Sequence, residues 1–295
     1  MRSGRRAAAA ILSGLLAAAP LASRAVADDV QTYAEDALPR YPSARETLER
    51  AFDNLYHCDY RAGAHIVSST DTGHYQTLEI QVLRKWVDGR LHWLAEIQNP
   101  GHLRDTRILQ VEAAGRPDDT FIYFARTPGS MPGFQISQKV RRFSTSQRGD
   151  LFFGSGIAYD DILTRRAEDY EVVGRASATW EGEPVQVLTL RLLDRTANYD
   201  RLQLSIARVD HAILEYRYFR RGGEQPFQVA RVPRSGMRRL DGHTLPTQVL
   251  VQNLEENTVT EVRWHQLEVN APIDERMFSG AVLERRGTGN RRVGH

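Results

Sequence analysis

Lys139 to Asp161 reads Lys-Val-Arg-Arg-Phe-Ser-Thr-Ser-Gln-Arg-Gly-Asp-Leu-Phe-Phe-Gly-Ser-Gly-Ile-Ala-Tyr-Asp-Asp. A short basic strand, Val140 to Phe143, runs into a glycine-punctuated loop with aromatic side chains and ends in Tyr159-Asp160-Asp161-Ile162-Leu163, where a short turn of helix is expected. Gly149, Gly154 and Gly156 permit tight backbone paths. They leave Phe152, Phe153 and Tyr159 free to cover one end of a curved sheet, either as a mobile gate over an apolar cavity or as a fixed plug. Arg141 and Arg142 are neighbours in a strand and so point to opposite faces; one of them is placed to reach a carboxylate such as Asp150 or Asp160.

On both sides of this segment the sequence alternates with the period of strands. Leu78, Ile80, Val82 and Trp86 precede Asp88-Gly89, and Leu91, Trp93, Ala95 and Ile97 follow it. An Asp-Gly pair between alternating runs is a strong hairpin signal. Comparable turns stand at Glu181-Gly182, at Gly222-Gly223 after Leu214 to Phe219, and at Asp241-Gly242 before a strand over Leu245 to Leu254. Val259 to Val269 alternates again. Short turns join antiparallel neighbours, whereas parallel strands need long crossovers. The expected architecture is therefore a long, strongly curved antiparallel sheet, mainly β, with a few helices over its concave face. One persuasive long helix begins at Ser43, with Glu46 as capping-box partner and Leu48, Ala51, Phe52 and Leu55 on one face. The break between two strand sets falls at Asp150 to Asp169.

The N-terminus reads as an export signal. Arg2, Arg5 and Arg6 precede an apolar stretch from Ala7 to Ala22, and Ala25-Val26-Ala27 is a small-x-small cleavage site before Asp28. Arg5-Arg6 also raises the twin-arginine route. The organisation expected is a signal peptide over 1–27, a lead-in over 28–43, a single β domain over 44–283 and a disordered basic tail over 284–295. The chain carries 39 Lys+Arg against 37 Asp+Glu. Removing the four arginines of the leader leaves 35 against 37, a net charge of −2, which gives no electrostatic footprint for nucleic acid. The one cysteine, Cys58, forms no internal disulfide and fits a small buried residue at the end of the first helix.

Catalytic and metal chemistries find little support. Gly149 and Gly154-Ser155 have the glycine spacing of a phosphate-binding loop without its lysine, and no Gly-x-Ser-x-Gly elbow occurs. The histidines are scattered, with no helical pair flanking a glutamate and no cysteine cluster. No catalytic, cofactor-binding or metal residues are assigned, and no cofactor is expected. Apolar strand positions offer an interior instead: Leu78, Ile80, Val82, Leu91, Trp93, Ile97, Phe121, Tyr123, Leu188, Leu190, Leu202, Leu204, Ile206, Tyr216, Tyr218, Val249 and Val251. A packed core and an open cavity both fit those residues.

The order Arg141-Arg142, Ser146-Gln147-Arg148-Gly149-Asp150, Phe153-Gly154-Ser155, Tyr159-Asp160-Asp161 closely resembles the central signature of the outer-membrane lipoprotein-sorting proteins, the LolA-like carriers. Asp241 to Thr247 resembles that family's turn into its penultimate strand, and Ile273 to Phe278 its closing helical turn. The resemblance spans roughly Asp59 to Val282. It implies a half-barrel antiparallel sheet with helices across its concave side, and a soluble, non-enzymatic periplasmic protein that carries lipid or the acyl chains of lipoproteins. It also implies transient membrane contact and work alongside an RND-type exporter. The chain does not resemble the housekeeping lipoprotein carrier itself, so its cargo is not fixed by the resemblance. On this reading Trp93, Phe152, Phe153 and Tyr159 are candidates for the lipid cavity or its gate, and Arg141, Arg142 and Arg148 for head-group contacts at its rim. A non-catalytic envelope scaffold with a filled core is the alternative.

Overall fold

The computed structural model describes residues 42–113, 118–124, 140–144 and 147–284. The expected leader, nearly all of the lead-in and the tail beyond Glu284 lie outside the described residues. The first helix, α1 (Ala44–Tyr56), starts where Ser43 accepts a hydrogen bond from the Glu46 amide at 3.1 Å. The reciprocal half of a capping box does not form, because the Glu46 carboxylate pairs with Arg50 one turn on. Leu48, Ala51 and Phe52 form the buried stripe of α1.

Six strands follow: β1 (Tyr60–Thr70), β2 (Tyr75–Val87), β3 (Arg90–Asn99), β4 (Arg107–Val111), β5 (Asp119–Tyr123) and β6 (Val140–Arg142). After a long connection come β7 (Tyr170–Trp180), β8 (Glu183–Leu192), β9 (Arg201–Ala207), β10 (Ile213–Phe219) and β11 (Gln228–Arg231). A separate hairpin, β12 (Met237–Leu240) with β13 (His243–Pro246), precedes β14 (Gln248–Asn253), β15 (Thr258–Val269) and the short α2 (Gly280–Glu284). Among the described residues, thirteen strands form one open antiparallel sheet in the order β6-β5-β4-β3-β2-β1-β15-β14-β11-β10-β9-β8-β7. None of the described helices is long and apolar enough to cross a membrane.

Three hairpins turn where the sequence places them. Asp88-Gly89, Glu181-Gly182 and Asp241-Gly242 each have positive φ at both residues (50° and 71°, 49° and 83°, 48° and 86°). That is the I′ geometry, whose twist matches the flanking strands. The run from Leu245 to Leu254 is not one strand. It breaks at Thr247, whose amide donates to Gly236 and whose carbonyl accepts from Trp264, so β13 leaves the main sheet while β14 joins it.

The sheet's two faces are settled by register. Ile108 pairs with Ile122 across β4 and β5, which puts Ile122 on the concave side with Ile80 and Ile97. Phe121 and Tyr123, expected inside, consequently point to the opposite face. There they pack in one cluster with Ile273, Phe278 and Leu283 of the C-terminal segment. That segment, with its helical turn Glu275–Phe278 and α2, covers the convex side rather than the concave one. The concave face is covered by α1 over Leu188, Leu190, Leu204 and Ile206, and by the connection between β6 and β7 over Leu78, Ile80, Ile97 and Ile108.

Candidate functional site: an apolar cavity on the concave face

Strands β6 and β7 are consecutive in the chain yet form opposite edges of the sheet. The chain between them must cross the concave opening. Its described part is folded back on itself: the Phe152 amide donates to Ile157 at 2.7 Å, the Tyr159 amide to Asp150 at 3.0 Å and the Asp160 amide to Arg148 at 2.8 Å. At the tip, Phe153 takes a left-handed conformation (φ 48°, ψ 39°), uncommon for a bulky side chain, and Gly154 follows at φ 78°. Gly156 then lies flat on the sheet, its amide donating to Thr260 Oγ1 at 3.0 Å and Ser68 Oγ at 3.3 Å.

A buried ion cluster holds the base of this crossing segment. Asp160 is 1 % exposed and pairs with Arg148 at 2.7 Å and Arg165 at 2.8 Å, and it accepts the Asn198 amide at 2.9 Å. Arg148 also reaches Asp194 at 2.7 Å and Thr196 Oγ1 at 2.8 Å. Burial opposes ionisation of Asp194, but the Thr196 hydroxyl and Arg148 outweigh it and bring its carboxyl down to about 2. Asp161 faces the other way. Its Oδ2 accepts from the Ala158 amide at 2.8 Å and from Gln228 Nε2 at 2.9 Å, while Oδ1 is sealed without a partner. Burial pushes this carboxyl up to about 6.

Between α1, the crossing segment and the sheet lies a cavity of about 310 Å³. Phe52, Leu55 and Tyr56 of α1 line one side and Ile162 and Leu163 of the crossing segment another. The sheet contributes Ile80, Val82, Trp93, Tyr216, Tyr218 and Val251, and the β12–β13 hairpin contributes Leu245 and Pro246. Strands from both halves of the sheet face one another across it, which shows how far the sheet is curled. The volume falls at the lower end for small-molecule sites. A recess of about 30 Å³ adjoins it, sharing Trp93, Ile162 and Leu163.

Of the residues singled out from sequence, Trp93 and Phe152 line the main cavity and Tyr159 lines the recess. Phe153 touches neither; it belongs to an aromatic cluster, 5.0 Å from Phe152 and 6.0 Å from Tyr159, and its carbonyl accepts from Gln76. Arg141 is exposed and pairs in register with Ile122, on the concave side of edge strand β6. Arg142 points to the other face and bonds Asp119. Arg148 is 4 % exposed and committed to Asp160 and Asp194, so it braces the crossing segment rather than standing at an open rim. Among the charged residues of the cavity lining, Arg84, Arg165 and Asp161 were missed. Arg84 is in phase with Leu78, Ile80 and Val82 on β2, and a charged residue on an apolar face was a legible signal. Asp161 was quoted only as part of a motif, and nothing local distinguishes it from Asp160.

An open antiparallel sheet, curled over an apolar cavity and covered by a helix and an edge-to-edge crossing, defines a LolA-like fold. Solved structures share that fold. A domain assigned to outer-membrane lipoprotein sorting from Vibrio parahaemolyticus superposes with a TM-score of 0.71 at 18% identity, covering 82% of this chain and 98% of its own. A DUF1329 family protein from Desulfovibrio piger gives 0.70 at 18% identity, with 80% and 97% covered. A LolA superfamily protein from Nitrosomonas europaea gives 0.61 at 19% identity, with 82% and 99% covered. No curated protein matches the sequence. Residues 90–285 match the model of a family described as "Uncharacterized protein", and the chain belongs to that family.

Proposed function

We propose that this protein is a periplasmic, non-catalytic carrier that shields the acyl chain of a lipid or lipoprotein in the cavity beneath α1 and the crossing segment. The observation that carries this reading is the cavity itself: about 310 Å³ lined mainly by aliphatic and aromatic side chains and left unfilled by the described residues. Each methylene moved from water into such a site contributes about 0.8 kcal/mol. One chain is then held firmly but reversibly, as a shuttle requires. On this reading the leader is removed after Ala27, and an RND-type exporter gives or receives the cargo. The likeness in fold to a domain assigned to outer-membrane lipoprotein sorting supports the same class of cargo. A scaffold with a filled core is disfavoured by the open volume.

The test is direct. Organic extracts of the protein purified from its native envelope are analysed for lipid by mass spectrometry, and the stripped protein is titrated with a fluorescent long-chain fatty-acid analogue. Saturable binding that weakens about tenfold or more in Trp93→Glu, by placing a charge on the apolar wall, is expected. A stripped, folded protein that takes up no analogue, with no lipid in the native extract, ends the carrier reading.

A further inference from the structure

Three arginines are buried among the described residues. Arg107 has Glu96 at 2.6 Å, and Arg148 has Asp160 and Asp194. Arg84, 6 % exposed, lines the apolar cavity and pairs with no carboxylate among the described residues. Buried charges are ordinarily paired, because an ion stripped of water needs a counter-charge. Within ion-pair distance Arg84 therefore has no counter-charge among the described residues.

The geometry indicates where a counter-charge fits. Arg84 Nε and Nη2 both donate to the Cys58 carbonyl, at 3.2 and 3.1 Å, just past the end of α1, and Nη2 also lies 3.3 Å from Cys58 Sγ. The guanidinium lies over the Tyr60 ring at 4.3 Å, which fixes its plane. Nη1 makes no hydrogen bond among the described residues and is not sealed from solvent. The cavity's other charged residues do not supply the missing partner. Asp160, with Asp194 behind it, is balanced by Arg148 and Arg165. Asp161 accepts from the Ala158 amide and Gln228 and makes no ion pair with Arg84 among the described residues.

We propose that Arg84 anchors an oxyanion head group, phosphate or carboxylate, of the amphiphile whose chain occupies the cavity. The site rests on the carrier reading and adds the charge class of the cargo. Val82, Trp93 and Tyr60 beside Arg84 are apolar or aromatic, so the anion arrives attached to a chain. A guanidinium suits the task, because its fixed donors match oxyanion geometry.

The experiment compares dodecyl phosphate, dodecanol and inorganic phosphate as ligands of the stripped protein, read by quenching of Trp93 and Trp264 in the cavity wall. The wild-type protein should bind dodecyl phosphate about tenfold or more tighter than dodecanol, the range expected for hydrogen bonds to charged groups. Arg84→Met should bring that ratio to about twofold or less, and Arg84→Lys should retain part of the preference. Equal binding of the two amphiphiles by wild type overturns the anchor and leaves the carrier reading standing; this arm needs no variant to fold. A preference that survives in Arg84→Met also overturns it. Inorganic phosphate that displaces dodecyl phosphate at equal concentration reassigns the site to a free anion and overturns the head-group assignment. Failure of both amphiphiles to bind at all overturns the carrier reading with it.

Discussion

Gly156 has no room for a side chain. A Cβ there would stand 2.3 Å from Thr258 Oγ1 and 2.7 Å from Thr260 Oγ1, the hydroxyls against which the crossing segment rests. Gly156→Ala should lower the unfolding free energy by about 1–3 kcal/mol, as overpacking does. Thr258→Ala in the same chain should restore part of the loss if this contact is the cause. Urea titrations of the two variants check it, and an additive pair would refute the contact. Asp161 carries a different kind of tension. Its Oδ1 is sealed and unpaired, and burial raises the carboxyl from 3.8 to about 6. An acid whose folded pKa is raised holds its proton more tightly folded than unfolded. The protonated form therefore favours folding below about pH 4, and that gain is lost as pH rises through 6. Asp161→Asn keeps an acceptor without the charge. Relative to wild type it should gain on the order of 2 kcal/mol between pH 4 and pH 7.5, and parallel stability–pH curves for the two proteins would exclude the assignment.

The crossing segment is the element that turns a curled sheet into a covered cavity, and it is clamped at two points of its described course. Gly156 is fixed to β1 and β15, and Asp160 is fixed by Arg148 and Arg165. Removing one partner of a buried pair leaves charge without compensation, which costs about 3–5 kcal/mol. Arg148→Met should show a loss of that size in chemical denaturation, whereas a solvent-facing rim arginine would change stability by only a few tenths of a kcal/mol. What the sequence made legible at this scale was local: the Ser43 cap, the three I′ turns and the alternation of the strands are each decided within a few residues. The position of the crossing was not legible, because it follows from β15 pairing with β1, a contact about 200 residues apart in the chain. The face of Phe121 and Tyr123 was lost for the same reason. Alternation says that neighbours point apart, and only the register with β4 says which side is inside.

At the scale of the whole molecule, the cavity is assembled from nearly every part of the described chain, from Phe52 on α1 to Leu267 on β15. No window of sequence contains it, so residues alone left a packed core and an open cavity equally plausible; Trp93 and Phe152 were found because they are large and apolar, Arg84 was not because it interrupts that pattern. The same assembly couples cargo to stability. An unfilled apolar cavity forgoes dispersion contacts across its walls, and a chain that fills it joins α1, the crossing segment and both halves of the sheet into one packed unit. A ligand that binds only the folded state stabilises it by about 2.7 kcal/mol at a hundred times its Kd. For a chain of this size that should raise the Tm by about 5–10 °C. Differential scanning of stripped protein with and without dodecyl phosphate measures it. Because the walls come from so many elements, the whole transition should move as one. A rise confined to part of the unfolding trace would place the ligand on a local surface, and an unchanged Tm at saturating ligand would mean that the cavity is not where it binds.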